Sequence, residues 1–235
     1  MSQDQQFRPR IAVLSRFSRS ASAVRYEALV AARRLLEAIW LAGGEPLQLL
    51  PAQGAGAEDW HRRLQHVDGV LLPGGGDLNP STYGQAVEHE SVYDVDDLQD
   101  SQDLSLANFV MSSGLPFLAI CRGMHVVNVA SGGSLYQHIE PMHRHHIHDV
   151  TFDRSWDTFG LSTPNVTASC FHHQAVDRIG AGWQAAAYSS DHRIEAMVHD
   201  SANGVAVQWH PEDTALTDPA QMAIFRSLIS RASQR

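Results

Sequence analysis

The chain has 235 residues, 43% of them hydrophobic, and a formal net charge of −9. That size favours one large α/β domain over two small ones, and the acidic balance argues against a nucleic-acid surface. No apolar run approaches a membrane span, the start MSQDQQFRPR lacks a signal-peptide layout, and Cys121 and Cys170 make no disulfide scaffold, so a cytoplasmic chain is expected.

Residues 1–9 are polar and read as a flexible tail, with one domain over residues 10–235. Residues 10–15 (RIAVLS) read as a first buried strand and 16–23 as a loop of small residues. From Val24, apolar positions at Ala28, Ala31, Leu35, Ile39 and Ala42 predict one helix ending at Gly43 and Gly44. A second strand follows over 46–50, a short helix over 60–67 and a third strand over 69–72. Alternating strands and helices imply βαβ units and a mostly parallel sheet. The third strand opens into PGGGDLNPSTY, where glycines without Cβ atoms let backbone N–H groups approach an oxyanion. The spacing is not that of a dinucleotide fingerprint.

Residues 88–103 hold seven carboxylates and neither Lys nor Arg. Such runs are usually solvated surface, although Leu104, Ala107 and Met111 predict a helix in the second half. The run precedes the helix leading to Cys121, so free carboxylates near the site would favour cationic leaving groups.

The run PFLAICRGMHVVNVASGGS, residues 116–134, places Cys121 between an apolar strand and a helical pattern. Ala119 and Gly123 flank it with small side chains, as a sharp strand-to-helix turn requires. A thiol at a helix N-terminus favours its thiolate. The stretch PMHRHHIHD, with four histidines, reads as a loop; no Cys or Glu partner stands at ligand spacing, so no metal is expected. Extended segments follow over 150–157 and 165–171, then a hairpin over 185–188 and 193–198, as a small antiparallel extension. In VAVQWHPE, alternation sets Val205, Val207 and Trp209 on one face and Gln208, His210 and Glu212 on the other. A His and a carboxylate at i and i+2 suit a general base and its orienting acid. Residues 219–230 close the chain as a helix.

Several stretches together resemble the class I glutamine amidotransferase superfamily, and within it the gamma-glutamyl-gamma-aminobutyrate hydrolases. They are AGGEPLQL, LPGGGDLNPSTYG, PFLAICRG, GGSLYQHI, FHHQAV and VQWHPE, in order along nearly the whole chain. The resemblance implies a flavodoxin-like fold and a cysteine hydrolase that cleaves γ-glutamyl amides of small amines, including polyamines, through a thioester. It implies Cys121 as nucleophile, His210 as base and Glu212 as its orienting acid. Backbone N–H groups of Gly75 or Gly76 and of Arg122 would hold the oxyanion, and His125, Phe171, His172 and Gln174 would line the glutamyl pocket. No metal or other cofactor is required, and the expected partner is a small-molecule substrate, with a homodimer left open. Ala119 stands where the family usually has Gly, His125 where relatives usually have Gln, and Cys170 where they often have Ser. Two other readings stay open: a glutaminase subunit delivering ammonia to a synthetase, and a non-catalytic γ-glutamyl-binding protein.

Overall fold

The computed structural model describes residues 7–22 and 24–234, so the first six residues of the expected tail lie outside it. The rest of that tail is tied down. Arg8 bonds the carbonyls of Gly44 and Trp40 and stacks 3.6 Å over the Trp40 ring.

The chain opens with β1 (Arg10–Leu14), a small hairpin of β2 (Arg16–Ser18) and β3 (Ala28–Val30), then α1 (Arg33–Leu41) and β4 (Glu45–Leu49). Next come α2 (Asp59–Arg63), β5 (Gly69–Leu72), α3 (Asp97–Ser113), β6 (Phe117–Ile120) and α4 (Arg122–Ala130). The second half is mostly extended: β7 (Leu135–Tyr136), β8 (His143–Phe152), β9 (Asn165–His172) and β10 (Ala175–Val176). It ends with β11 (Trp183–Tyr188), β12 (Ile194–His199), β13 (Gly204–Val207) and α5 (Pro219–Ala232).

Nine strands form one sheet in the order β4-β1-β5-β6-β13-β12-β11-β8-β9. The first five pair in parallel and the remainder antiparallel. This is the flavodoxin-like, helix-flanked arrangement with an antiparallel extension.

The central parallel strands β5, β6 and β13 are apolar and buried at every position because both faces are covered, whereas the edge strand β4 keeps Glu45 and Gln48. Leu118 and Ile120 of β6 join a core with α1 and α5 residues such as Leu35, Ile39, Phe225 and Leu228. Phe117 and Ala119 join the other core, with Leu106 and Val110 of α3 and Val126 of α4. Each fully buried Leu or Phe stabilises the fold by about 1.5–3 kcal/mol. Among the described residues no helix is long and apolar enough to cross a membrane.

Three expectations need correction. The helix from Val24 begins only at Arg33, because residues 28–30 pair with residues 16–18 as a hairpin. The histidine-rich stretch is a strand, β8, paired with β9. β13 ends at Val207 and is buried on both faces, since Val205 and Val207 pack into one core and Ala206 into the other.

The extension curls back on itself. The His210 N–H, three residues past β13, donates to Ser169 O of β9 at 2.8 Å, and Gln221 of α5 donates to Thr167 O at 2.8 Å. Strands distant in sheet order thus face a shared interior.

Candidate active site

Cys121 occupies the sharp turn between β6 and α4, with φ 51° and ψ −109°. A side chain in this region stores strain of about 1–3 kcal/mol and persists only where its surroundings hold it. Here the Cys121 N–H donates to Val207 O at 2.8 Å, while its carbonyl accepts from Met124 and His125. The thiol is buried, 4% exposed, at the start of α4, where the first N–H groups of the helix have no intrahelical partner. Gly123 is required by packing: a Cβ there would lie 2.3 Å from Leu72 O, so only glycine lets α4 seat against β5.

Arg122 is buried and turns away from the thiol onto α3. It pairs with Asp100 at 2.5 Å and with Asp103. Burial opposes its charge, but Asp103 and Asp100 outweigh that and hold its pKa above the ordinary value. Asp100 also accepts from Asn79 N–H at 2.9 Å, so one network links the nucleophile turn to the glycine loop. The reading of the acidic run as solvated surface holds for Glu88, Glu90, Asp94 and Asp97, which are exposed, and is corrected for Asp100 and Asp103, which are buried. Asp96 caps α3 through Gln99 N–H, Asp97 accepts from Asn79, and Asp94 lies 3.8 Å from Arg16.

His210 Nδ1 lies 2.8 Å from Glu212 Oε1, and His210 Nε2 is buried without a hydrogen-bond partner among the described residues. Gly74 fits against both reacting candidates: a Cβ there would meet His210 Cε1 at 2.8 Å and Cys121 Cβ at 3.6 Å. Burial works against charge on His210, but a Cys121 thiolate and then Glu212 push its pKa well above the ordinary value.

A small cavity opens beside Cys121, walled by Gly75, Gly76, Arg122, His125, Phe171, His172 and Gln174. Every residue expected for the oxyanion and the pocket therefore meets at one place. His210 and Glu212 border an adjoining groove with Arg16 and Gly74. Gly75 and Gly76 also admit neighbours, since Cβ atoms there would lie 2.4 Å from the Arg16 guanidinium and 2.7 Å from Asp94.

His125 Nε2 is 2.8 Å from Gln208 Oε1, and the Gln208 amide donates to Cys121 Sγ at 3.8 Å. Burial lowers the His125 pKa to about 4, so it is neutral and donates its Nε2–H. Gln174 is 1% exposed and neither of its amide atoms has a partner among the described residues. Its side chain is thus available to a polar ligand.

Sequence reasoning missed Gln208, Asp77 and Arg16. For Gln208 the available signal is the alternation that sets it on the same face as His210. Asp77 accepts from His173 Nε2 at 3.0 Å and Tyr93 N–H at 3.0 Å, holding the loop beneath the cavity. Cys170 lies elsewhere, near Glu195, where burial first and that carboxylate second push its thiol pKa far up. His143, His148, Cys170 and Glu195 converge there, although no such partners stand near the histidines in sequence.

Comparison with known proteins bears on this arrangement. The peptidase C26 family profile matches residues 9–212. A Mycobacterium tuberculosis protein provisionally named glutamine amidotransferase is 34% identical over 211 residues, covering 84% of this chain and 66% of its own length. The chain thus spans just under two thirds of that relative. The gamma-glutamyl-gamma-aminobutyrate hydrolase of Escherichia coli K12 is 29% identical over 217 residues, covering 84% of each chain. A crystal structure from Thermoplasma acidophilum, provisionally named as part of a GMP synthase, aligns with a TM-score of 0.68 at 17% identity. The alignment covers 97% of this chain and 96% of that one, a likeness of fold.

Proposed function

The chain belongs to the peptidase C26 family, of the class I glutamine amidotransferase-like group, and from that premise we propose that it hydrolyses the γ-glutamyl amide of a small amine through a Cys121 thioester. The observation that carries the proposal is the strained Cys121 turn beside a His210–Glu212 pair, next to a cavity with an unpartnered buried amide.

In this reading the Cys121 thiolate attacks the γ-carbonyl carbon. The charge developing on oxygen is taken by backbone N–H groups of Arg122 and of Gly75 or Gly76, each donor contributing about 10²–10³ in rate. The protonated imidazole of His210 gives its proton to the departing amine, and neutral His210 then takes one from the water that cleaves the thioester. Glu212 holds the imidazole and stabilises its charge. Gln174 offers a donor and an acceptor to the α-substituents of the glutamyl group, and neutral His125 steadies Gln208 against the thiol.

The leaving-group side differs from the cationic preference read from the acidic run. Of its seven carboxylates, Asp100 and Asp103 are buried against Arg122, while Asp96 and Asp97 accept hydrogen bonds from Gln99 N–H and the Asn79 amide. In the groove beside His210, Arg16 has a buried Nη1 without a partner among the described residues. That favours a carboxylate-bearing leaving group such as γ-aminobutyrate over a polyamine.

The test compares kcat/KM on γ-glutamyl-γ-aminobutyrate, γ-glutamyl-putrescine and glutamine for wild-type protein and Cys121→Ala. Expected are turnover of the first substrate above the second, none with Cys121→Ala, and iodoacetamide labelling of Cys121 rather than Cys170. Turnover of glutamine alone, and only with an added synthetase, would replace this reading with the ammonia-delivering one.

A further inference from the structure

A second cluster, which the mechanism does not use, lies inside the curl of the extension. β8 contributes His143 and His148, β9 contributes Cys170 and His172, and β12 contributes Glu195, which is fully buried. His143 and His148 are five residues apart, so in a regular strand they would face opposite sides. A bulge prevents this. The β8–β9 register shifts between Arg144 and His146, with His145 at φ 53°, and the extra residue turns both histidines inward.

The donor atoms crowd around one point. His143 Nδ1 is 3.2 Å from Glu195 Oε1, His148 Nε2 is 3.6 Å from the same oxygen, and Cys170 Sγ is 3.6 Å from His148 Nε2. One ligand atom from each of the four residues lies within 4.8 Å of all the others. Tetrahedral zinc with bonds of about 2.0–2.3 Å needs ligand–ligand edges of about 3.3–3.8 Å, close to these spacings.

Two further observations point to a cation. The other nitrogen of His143, Nε2, lies 3.2 Å from Asp191 Oδ2, the carboxylate–histidine support that fixes a ligand's ring. His172 bonds Gln174 O through Nδ1 at 2.9 Å, which places its proton there and leaves a lone pair on Nε2. That buried nitrogen has no hydrogen-bond partner among the described residues, yet it faces Glu195 Oε1 at 3.8 Å. A protonated His143 between Glu195 and Asp191 would satisfy those three groups. It would leave His148 with only the Cys170 thiol at 3.6 Å, and the buried His172 lone pair aimed at the same place with nothing to bind.

We propose that His143, His148, Cys170 and Glu195 bind one Zn2+ ion, with Asp191 as the outer support of His143 and His172 beside it. Thiolate and imidazole donors select zinc over magnesium or calcium. Four protein ligands close the site, so the ion staples β8, β9 and β12 together and takes no part in the reaction at Cys121. Binding deprotonates Cys170 and releases that proton to solvent.

Chelator-stripped Cys121→Ala protein, kept reduced, should take up one Co2+ per chain with a thiolate-to-cobalt charge-transfer band, and Zn2+ should displace it. Adding Cys170→Ser should abolish the band. Asp191→Asn, at a partly exposed position, should weaken affinity about 10–100-fold while leaving the fold intact. A Cys121→Ala protein that shows no band with Co2+ in excess overturns the proposal, as does a wild-type band that Cys121→Ala removes. Because this protein lacks the proposed nucleophile, neither outcome depends on the activity.

Discussion

At His210 two effects oppose each other. Burial disfavours the imidazolium, while a Cys121 thiolate and the Glu212 carboxylate favour it, and the charges win. The protonated form therefore persists above the ordinary histidine range, where it can serve the leaving amine. Glu212→Gln keeps the shape and removes one of the raising charges, so the His210 pKa falls. The alkaline limb of kcat/KM, where the imidazolium is lost, should move to lower pH in that variant. An unmoved limb would make Glu212 structural only. His210→Asn, by contrast, should cost about 10²–10⁴ in kcat at every pH. These residues were legible in the sequence because each chemistry-bearing side chain sits beside a backbone signal: small residues around Cys121, a proline after His210. Gln208 and Asp77 also sit beside such signals, the alternation shared with His210 and the Gly74–Gly76 run, yet the sequence does not show what either one bonds. Their roles depend on partners 87 and 96 positions away in the chain.

The elements that position the site depend on one buried ion network between α3 and α4. Arg122 is clamped by Asp100 and Asp103, and Gln99 donates to Asp103 at 3.2 Å. Removing Asp103 leaves Arg122 paired with Asp100 alone and strands a buried guanidinium N–H and the Gln99 amide, which costs about 1–3 kcal/mol. Asp103→Ala should therefore lower the free energy of unfolding by about that amount, read from chemical denaturation with an unchanged m-value. It should also reduce kcat, because Arg122 is the first residue after the nucleophile. A loss under about 1 kcal/mol would mean that the network behaves like an exposed pair. The α3 helix was foreseen from its apolar positions, but the fate of its acids was not. Their pattern alone cannot distinguish solvent from a lone arginine arriving from the next element. The histidines of β8 failed differently: a bulge reset which side each one faces, and a bulge leaves little trace in periodicity.

Across the whole molecule, the central parallel strands are the most legible: β5 and β6 begin and end where apolar runs begin and end, whereas the start of α1 and the end of β13 differ from expectation. Strands buried on both faces announce themselves through composition. The curled half was less legible because its closure rests on long-range backbone contacts, chief among them His210 N–H to Ser169 O. The His210 amide lies in the loop beyond β13, outside the ladder, so its single bond to Ser169 O can open while Val166 and Ala168 stay packed in the core with Trp209 and Phe225, which requires less free energy than opening the central strands. The Cys121 amide is held within the parallel ladder by Val207 O. Hydrogen exchange should accordingly be faster at the His210 amide than at Cys121. A substrate spanning nucleophile and base should slow exchange at His210 and leave Cys121 unchanged. The free protein then samples a state in which its base has swung off its nucleophile while the sheet stays folded, and catalysis begins with a re-closure that the substrate itself selects.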